Sequence, residues 1–378
     1  MVAVRFTILV VWLYRFSVVT RADQPYLGIP SCAISCVNQE IIGYSNCSIT
    51  NQDCICRDAV FTASVQACVL QNCTVKEALV AQNHTSAACS MPMSKPNPLH
   101  KWFPTVLFVF STFFIIGRLT NKWLRVSPWG WDDTCIIIAY PLNAAFLPGA
   151  LLAQRAGAGR DIWTLTSDQI TELLLIVFIF GVLYFMSLAF IKTSIVFLYL
   201  RIFPDEKFRK LLWLTQVFNL MLLISFLAGQ LTLCQPLKFV WLGWAKEIEG
   251  YCFNRNAFII WHGAINLALD LWMLVLPLTQ LYGLRMQLKK KLGIILMFSI
   301  GIFLTAVSAY RIKALLVFAT SLNFSADSLQ TSLWSHIELS VGVVVACLPS
   351  TQQVYFRFSP VIVKFTQKIG FSKSKEIS

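Results

Sequence analysis

The chain contains seven long apolar stretches separated by polar segments, and this feature limits its fold more than any other. Apolar residues make up 57% of the 378 residues and charged residues only 13%, whereas soluble proteins average about 45–50% and about 25%. A soluble core cannot bury that much apolar surface, so the sequence predicts an all-α membrane protein with a seven-helix bundle over residues 102–352. Each stretch is close to the roughly 20 residues that a helix needs to cross a bilayer. The predicted spans are residues 102–120, 133–153, 170–200, 211–233, 257–281, 291–318 and 331–350.

The third apolar stretch is longer than a bilayer requires. Ile170–Phe203 covers 34 residues, which is about 50 Å as a helix against about 30 Å of hydrocarbon. It could form one overlong helix or two short ones. Because only Gly181 interrupts it and no proline or turn dipeptide occurs within it, we predict one helix.

The basic residues indicate how the spans are oriented. Lys and Arg are more frequent in the tail and after the first, third and fifth predicted spans than in the other connections. By the positive-inside rule, we predict a multi-pass plasma-membrane protein with an extracellular N-terminus and a cytosolic C-terminus. This count assigns Arg118, Lys122 and Arg201 to the cytosolic loops. Because the cations are spread over short clusters, the net charge of +13 does not indicate nucleic-acid binding.

Four further segments surround the predicted bundle. Residues 1–22 contain a short apolar run that ends in Thr-Arg-Ala, which predicts a signal peptide, with an uncleaved anchor as the alternative. Residues 23–90 hold eight of the 12 cysteines, which predicts a disulfide-rich extracellular domain. Residues 91–101 contain three prolines and are predicted to form a stiff linker. Residues 353–378 are predicted to form a basic amphipathic cytosolic tail, in which the pattern of residues 356–371 favours an interfacial helix.

Asn-x-Ser/Thr acceptors provide a second indication of orientation. Glycosylation needs lumenal exposure, and every acceptor falls on a segment predicted to be extracellular. The predicted glycosylation sites are Asn46, Asn72, Asn83 and Asn323.

The cysteines of residues 23–90 follow the spacing C-x3-C-x10-C-x6-C-x-C-x11-C-x4-C-x15-C. This pattern resembles the CFEM domain, an eight-cysteine module of fungal extracellular membrane proteins. Cysteines four positions apart share one helix face, so Cys32 with Cys36 suits an antiparallel helix that carries Cys68 and Cys73. The predicted bonds are Cys32–Cys73, Cys36–Cys68, Cys47–Cys54 and Cys56–Cys89. This pairing is one hypothesis among on the order of 100 connectivities.

The resemblance to the CFEM domain also raises haem binding. Some members of that family hold haem through an Asp three residues before the fourth cysteine, where this chain has Asn51, with Asp53 as an alternate. A neutral amide is a poorer ferric ligand than a carboxylate. We therefore expect no cofactor, and we keep capture of haem or iron at the cell surface as the alternative function.

The predicted bundle carries short motifs that follow one another in a characteristic order. They are Gly130-Trp131-Asp132-Asp133, Gly157-Ala158-Gly159-Arg160-Asp161-Ile162-Trp163, Lys192-Thr193-Ser194, Tyr199-Leu200-Arg201-Ile202-Phe203, Cys234-Gln235-Pro236, Leu276-Pro277 and Cys347-Leu348-Pro349. Behind the cysteine-rich domain, this order resembles the fungal seven-helix receptor-like family, whose members are similar to G-protein-coupled receptors and are linked with surface sensing. The resemblance implies a rhodopsin-like bundle that senses an extracellular or surface cue, an unidentified extracellular ligand and a heterotrimeric G protein as partner. Because the third span lacks Asp-Arg-Tyr and the seventh lacks Asn-Pro-x-x-Tyr, G-protein coupling stays open.

Charged residues inside the predicted spans are the main candidates for a functional site, because burying charge in a membrane is costly. We expect a polar network that lines a ligand cavity or biases two packings of the bundle, with a static ion pair as the alternative. By depth, Arg311 and Glu338 are predicted in the outer half, Asp270 near the middle and Lys192 on the inner side. Two histidines nearer the outer face are expected to be ordinary packing residues. The charged set is Lys192, Asp270, Arg311, Lys313 and Glu338, and the histidines are His262 and His336.

The four remaining cysteines and the missing motifs complete the prediction. Cys234 and Cys252 fall in one outer connection and are predicted to form a disulfide, whereas Cys135 and Cys347 lie inside spans and suit packing. Trp241 and Trp244 lie in the same connection and are predicted to form an interfacial belt. A retinal protein is disfavoured because residues 331–350 contain no Lys. No metal-ligand spacing, nucleophile elbow or phosphate loop appears, so we expect no metal site, catalytic residue or enzyme activity.

Overall fold

The computed structural model describes residues 28–44, 52–94, 99–281 and 288–375. Their regular structure is helical apart from one two-stranded ladder. The signal peptide predicted over residues 1–22 lies outside these residues and stays a prediction.

Four helices form the N-terminal domain: α1 Ser31–Tyr44, α2 Gln52–Arg57, α3 Ala59–Asn72 and α4 Val75–Ala88. Local side chains start two of them. The carboxylate of Asp58 accepts from the backbone N–H of Val60 at the start of α3, and Thr74 and Glu77 form a capping box at the start of α4. Such caps satisfy N–H groups that lack partners in the first turn of a helix.

Disulfide bonds tie these helices around a small core. The structure contains Cys32–Cys73, Cys36–Cys68 and Cys56–Cys89, the pairs that the spacing predicts. Cys54 is also disulfide-bonded, whereas its predicted partner Cys47 lies outside the described residues. Among the described residues of this domain, the apolar core cluster consists of the buried residues Ala33, Cys36, Cys68, Val69 and Ala81. A core this small needs covalent support.

Within the described residues, seven helical segments are long and apolar enough to cross a bilayer. The third is one uninterrupted helix, as predicted. The spans are α5 Leu99–Trp123, the pair α6 Trp131–Ala144 and α7 Phe146–Arg155, α8 Ser167–Ile202, α9 Glu206–Leu231, α11 Arg255–Leu281, α12 Leu288–Thr320 and α13 Phe324–Lys375.

Prolines act differently in two of the spans. Pro148 lacks an N–H, and its ring would clash with the carbonyl group of Ala144, so the second span divides where α6 ends. Helix α13 instead continues past Pro349 for a total of 52 residues. The segment predicted as an interfacial helix, residues 356–371, is helical but continues the seventh span without a break, and its place at the interface stays a prediction. Residues 350–357 contain no Gly or Pro that would end the span.

Helix α8 lies at the centre of the bundle, where it packs against α6, α9 and α13. Helix α13 also contacts α5 and α12, and α12 contacts α11. The connection after α9 contains β1 Cys234–Gln235, the short helix α10 Phe239–Leu242 and β2 Tyr251–Cys252, and the disulfide Cys234–Cys252 joins the two strands. We name the end of the bundle with residues 156–166 and 232–254 the ectodomain face, and the end with residues 123–130 and 202–206 the tail face.

Candidate functional site

A buried charged group in the middle of the bundle begins with Lys192 on α8. Its ammonium nitrogen lies 2.8 Å from Asp270 Oδ1 on α11. It also donates to the side-chain oxygen of Asn266 at 2.6 Å and to the backbone oxygen of Asn266 at 3.1 Å. An ammonium group has three hydrogens, so these three acceptors use its full donor capacity.

Two polar side chains connect the carboxyl groups of Asp270 and Glu338. Ser308 Oγ lies 2.9 Å from Asp270 Oδ2 and 2.7 Å from Glu338 Oε1. Asn266 Nδ2 donates to Glu338 Oε1 at 2.8 Å. Helices α11, α12 and α13 are therefore joined through these groups.

Arg311 on α12 completes the group. Its Nη1 lies 3.4 Å from Glu338 Oε2 and donates to the Tyr184 hydroxyl at 2.6 Å. Tyr184 in turn donates to Glu338 Oε2 at 2.7 Å, and Arg311 Nε donates to Ser335 Oγ at 3.0 Å. We name the whole set the mid-bundle network: Tyr184, Lys192, Asn266, Asp270, Ser308, Arg311 and Glu338.

The structure brings together four of the five charged residues predicted inside the spans. Asn266 bonds to both Lys192 and Glu338 and so links the two parts of the set, while the predicted depths stay a prediction. The exposed fifth residue, Lys313, lies outside the network, with its nitrogen 5.8 Å from the ring centroid of Tyr310. Because the sequence search considered only charged residues, it missed Asn266, whose amide links Lys192 to Glu338.

Two small cavities flank Lys192. One, of about 50 Å³, is lined by Lys192, Asp270 and Glu338 among apolar side chains, and the other, of about 30 Å³, lies beside His262. Sites for drug-sized ligands measure about 300–1,000 Å³, whereas one water needs roughly 10–15 Å³. The described bundle thus has room for a few waters beside the network. Of the two predicted roles, this favours a bias between packings over a ligand cavity.

Both histidines pack against aromatic rings, as predicted. The ring centroid of His262 lies 4.3 Å from that of Phe185 and 4.7 Å from that of Phe226. His336 stacks on Phe146 at 6.0 Å. The free cysteines Cys135 and Cys347 are buried inside spans.

A second buried group of charges lies at the tail face, and sequence reasoning missed it. Arg118 on α5 donates to Asp132 and Asp133, which begin α6, and to the backbone oxygen of Ala346 on α13. Lys122 Nζ lies 2.8 Å from Asp133 Oδ2. Arg201 Nη1 on α8 is 3.5 Å from Asp132 Oδ1. We name Arg118, Lys122, Asp132, Asp133 and Arg201 the tail-face cluster.

The tail-face cluster changes the assignment of Arg118, which the charge count had placed in a cytosolic loop. Arg118 is only 2% exposed, so it pairs inside the bundle and is not a free cytosolic charge. Two consecutive carboxylates at a helix N-terminus are favoured there by the helix dipole. That pattern at Asp132 and Asp133, after a span that ends in Arg and Lys, is the signal that could have revealed the cluster.

At the ectodomain face, the N-terminal domain rests on the bundle through α4. This helix contacts the short helical turns Ile162–Thr164 and Gly243–Ala245, and Lys76 pairs with Glu247. Leu79 packs against an apolar cluster beneath these turns. We name this set the outer cluster: Ala153, Ala156, Ala158, Ile162, Leu165, Ile170, Leu173, Leu174, Ile176 and Leu329, with Trp241 and Trp244 packed against it.

The turn between α7 and α8 anchors the linker to the same face. Gly157 and Gly159 have φ of +101° and +84°, which glycine adopts without steric cost. The turn leads to Asp161, which is 2% exposed. Its carboxylate accepts from the backbone N–H of Ser94 at 2.8 Å and from Asn323 Nδ2 at 2.7 Å.

The contact with Asp161 argues against a glycan on Asn323, because the amide nitrogen that would carry the sugar is engaged with a buried carboxylate. Asn72 and Asn83 are exposed, although Nδ2 of Asn72 donates to the backbone oxygen of Cys68 at 3.0 Å, and glycosylation at both stays a prediction. Asn46 and the haem candidate Asn51 lie outside the described residues.

Two other predicted sites differ in their surroundings. Asp53, the alternate haem position, is exposed in the first turn of α2, and haem binding stays a prediction. The interfacial belt of Trp241 and Trp244 stays a prediction; both half-buried rings pack on the outer cluster, and Trp244 Nε1 donates to Thr171 at 3.0 Å. Among the described residues, no group of three or more His, Cys, Asp or Glu could hold a metal ion.

Comparison with known proteins gives matches in both parts of the chain. Residues 117–357 match the family model of the fungal rhodopsin domain, and residues 25–90 match that of the CFEM domain. Both lie where the sequence resembles these families.

Individual relatives are distant. A SAT4 family membrane protein of Emericella nidulans is 26% identical over 236 residues, 61% of this chain and 55% of that protein. Receptor GIN3 of Arthrobotrys oligospora is 22% identical over 223 residues, 58% of this chain and 52% of that protein. The polyenoic acids biosynthesis gene cluster protein Ba17b of Metarhizium anisopliae is 26% identical over 166 residues, 42% of this chain and 45% of that protein. The chain spans about half the length of these curated relatives, and no solved structure matches it.

Proposed function

Because the chain belongs to the fungal rhodopsin domain family, a family of receptor-like membrane proteins, we propose that it senses an extracellular or surface cue and signals to a cytosolic partner. Its seven spans make it a multi-pass membrane protein in contact with lipid. In this proposal the CFEM domain lies outside the plasma membrane, the tail face lies in the cytosol, and no catalytic step is involved.

The observation that carries the proposal is the contact between α4 and the segment that leads into α8. The turn Ile162–Thr164 touches α4 and precedes the N-cap of α8, where Thr166 accepts from the backbone N–H of Gln169. The same helix carries Tyr184 and Lys192, two members of the mid-bundle network, and ends at the tail face with Arg201. A displacement of α4 would therefore act on one rigid helix that reaches both charged groups.

The mid-bundle network is the element whose packing a cue would change. It holds two cations and two carboxylates on four spans, and the exposure of each residue is 8% or less. Breaking any of these contacts leaves a buried charge without its partner, which is strongly unfavourable. Such a network favours discrete arrangements of the helices over gradual ones, and discrete states are what a switch needs.

A heterotrimeric G protein is the proposed partner. Support comes from the resemblance of the bundle to G-protein-coupled receptors and from a relative named as a receptor. The basic residues Lys207, Arg209 and Lys210 are exposed beside the tail face, where a partner can reach them.

The test uses the full chain in lipid nanodiscs with a panel of fungal heterotrimeric G proteins, and nucleotide exchange on the Gα subunit is measured. Leu79→Asp places a charge in the outer cluster and is expected to change the exchange rate. The matched control Leu70→Asp alters an apolar residue of the same domain that is 62% exposed, and it is expected to leave the rate unchanged. Exchange equal to that with empty nanodiscs for the wild type and both variants would overturn the G-protein proposal.

A further inference from the structure

We propose that the tail face binds the phosphate group of an anionic phospholipid through Arg201. The site follows from the charge of the tail-face cluster, from the position of Arg201 at its rim and from the side chains around it. It does not depend on the proposed signalling function.

The charges of the tail-face cluster do not balance. Three cations face two carboxylates, and Arg118 and Lys122 make the close contacts to Asp132 and Asp133. Arg201 makes only long contacts to the two carboxylates, at 3.5 Å to Asp132 Oδ1 and 3.8 Å to Asp133 Oδ2. One positive charge is therefore left over, and it belongs to the residue with the weakest contacts.

Arg201 is also the cation that a ligand can reach. Its side chain is 32% exposed, whereas that of Arg118 is 2% exposed and that of Lys122 is 6% exposed. Nη2 of Arg201 donates to the backbone oxygen of Pro128 at 2.8 Å, which holds the guanidinium at the edge of the connection between α5 and α6. In the same connection, Arg125 is exposed and forms no ion pair among the described residues. Arg201 and Arg125 form the exposed rim of the tail-face cluster, so this rim adds a further positive charge to that of the cluster.

Three tryptophans in and beside this connection indicate where the lipid headgroups lie. Trp123, Trp129 and Trp131 are 84%, 58% and 72% exposed. Indole rings prefer the interface between hydrocarbon and water, so these rings place the connection at the level of the headgroups. Arg201 touches Pro128, the residue next to Trp129, and therefore lies at the depth of the lipid phosphates.

The chemistry of the rim suits a lipid phosphate. A guanidinium offers parallel N–H donors that match two oxygens of one phosphate. A zwitterionic lipid has no net charge, whereas an anionic lipid has a net negative charge that also compensates the excess positive charge. One Arg or Lys near a charged membrane surface contributes about 1 kcal/mol, or about a fivefold change in affinity.

The experiment measures lipid retained by the full chain after release from nanodiscs of phosphatidylcholine with and without phosphatidylserine, using native mass spectrometry. The wild type is expected to retain phosphatidylserine, and Arg201→Gln to retain about fivefold less. The matched control Arg209→Gln changes an exposed arginine of α9 outside the cluster and is expected to behave as the wild type. Should Arg201→Gln fold poorly, Arg201→Lys keeps the charge without the parallel donors, and its retention is expected to lie between the other two.

Three results would overturn the proposal. Equal retention of phosphatidylserine by the wild type, Arg201→Gln and Arg201→Lys would show that Arg201 does not bind the lipid. An equal loss in Arg209→Gln would show a diffuse attraction to the whole basic face. Full displacement of the lipid by inorganic phosphate at physiological concentration would assign the site to a free anion and not to a lipid.

Discussion

The two buried charge groups of the bundle differ in how completely their charges are paired. The mid-bundle network has two cations and two carboxylates, and all four residues are buried. The tail-face cluster has three cations and two carboxylates, and one cation, Arg201, is partly exposed. A closed and balanced group responds only when the helices that carry it move. An open and unbalanced group can also respond to molecules that reach it from the membrane surface.

The largest effect is expected in the closed network. Glu338→Leu removes the carboxylate that pairs with Arg311 and leaves this buried cation unpaired. We expect this to lower the free energy of unfolding by about 3–5 kcal/mol. Thermal or denaturant unfolding of the bundle in detergent measures this loss. The control Lys313→Leu removes an exposed cation from the helix that carries Arg311 and is expected to cost less than about 1 kcal/mol.

A double variant sharpens this prediction. Replacing both Glu338 and Arg311 by Leu removes the pair together and should recover most of the lost stability, since a buried ion pair is often no better than apolar residues of similar size. If Glu338→Leu unfolds no more easily than Lys313→Leu, the network is not closed in the way described.

A smaller loss is expected when the tail-face cluster loses its central cation. When Arg118 is replaced by Leu, the cations Lys122 and Arg201 remain beside the two carboxylates. We therefore expect the free energy of unfolding to fall by about 2–3 kcal/mol, which is less than for a buried charge left without a partner. The same unfolding measurement applies. A loss larger than that of Glu338→Leu would reverse the comparison between the two groups.

A still smaller effect is expected for the cation at the rim. Arg201→Gln removes two long ionic contacts and the hydrogen bond to the backbone oxygen of Pro128. Because the side chain is partly exposed, we expect a loss of about 1 kcal/mol. Unfolding in phosphatidylcholine nanodiscs, without anionic lipid, isolates this contribution. A loss equal to that of Arg118→Leu would show that Arg201 belongs to the closed part of the cluster.

Sequence reasoning predicted those features that depend on local pattern. The length of the apolar stretches gave the number of spans and the single long helix at Ser167–Ile202. The four-residue spacing of Cys32 and Cys36 gave two disulfides, because such a spacing fixes one helix face.

Features that depend on distant contacts were not predicted. Counting charges by loop treats Arg118 as free, because such a count does not consider that the start of α6 can bring two carboxylates against it. Asn266 and Ser308 are neutral, so a search for intramembrane charge passes over them although they link Asp270 to Glu338. Asn323 matches a glycosylation pattern, and only the fold shows that its amide contacts Asp161.

The smallest effect is expected at an exposed carboxylate that belongs to neither group. The backbone N–H and the hydroxyl of Thr74 donate to Glu77 and hold the pKa of its carboxyl below its ordinary value of 4.5. A carboxyl with a lowered pKa in the folded state stabilises above its unfolded pKa, and this contribution is lost as the pH falls through the folded value. The protection of α4 against hydrogen exchange, measured relative to the intrinsic exchange rate at each pH, should therefore decrease below about pH 4.5. In Thr74→Ala this pH dependence should be weaker, whereas a profile unchanged from the wild type would contradict the capping role.

The transmission of a disturbance from the ectodomain face to the tail face is the central claim, and a single labelled cysteine tests it most directly. The free cysteines Cys135 and Cys347 are buried, so a cysteine introduced at the exposed position Lys210 can be labelled with an environment-sensitive dye. Leu79→Asp is predicted to shift the emission of this dye, while Leu70→Asp leaves it unchanged. An emission that stays the same in Leu79→Asp, when hydrogen exchange shows that α4 has left the outer cluster, would contradict the account.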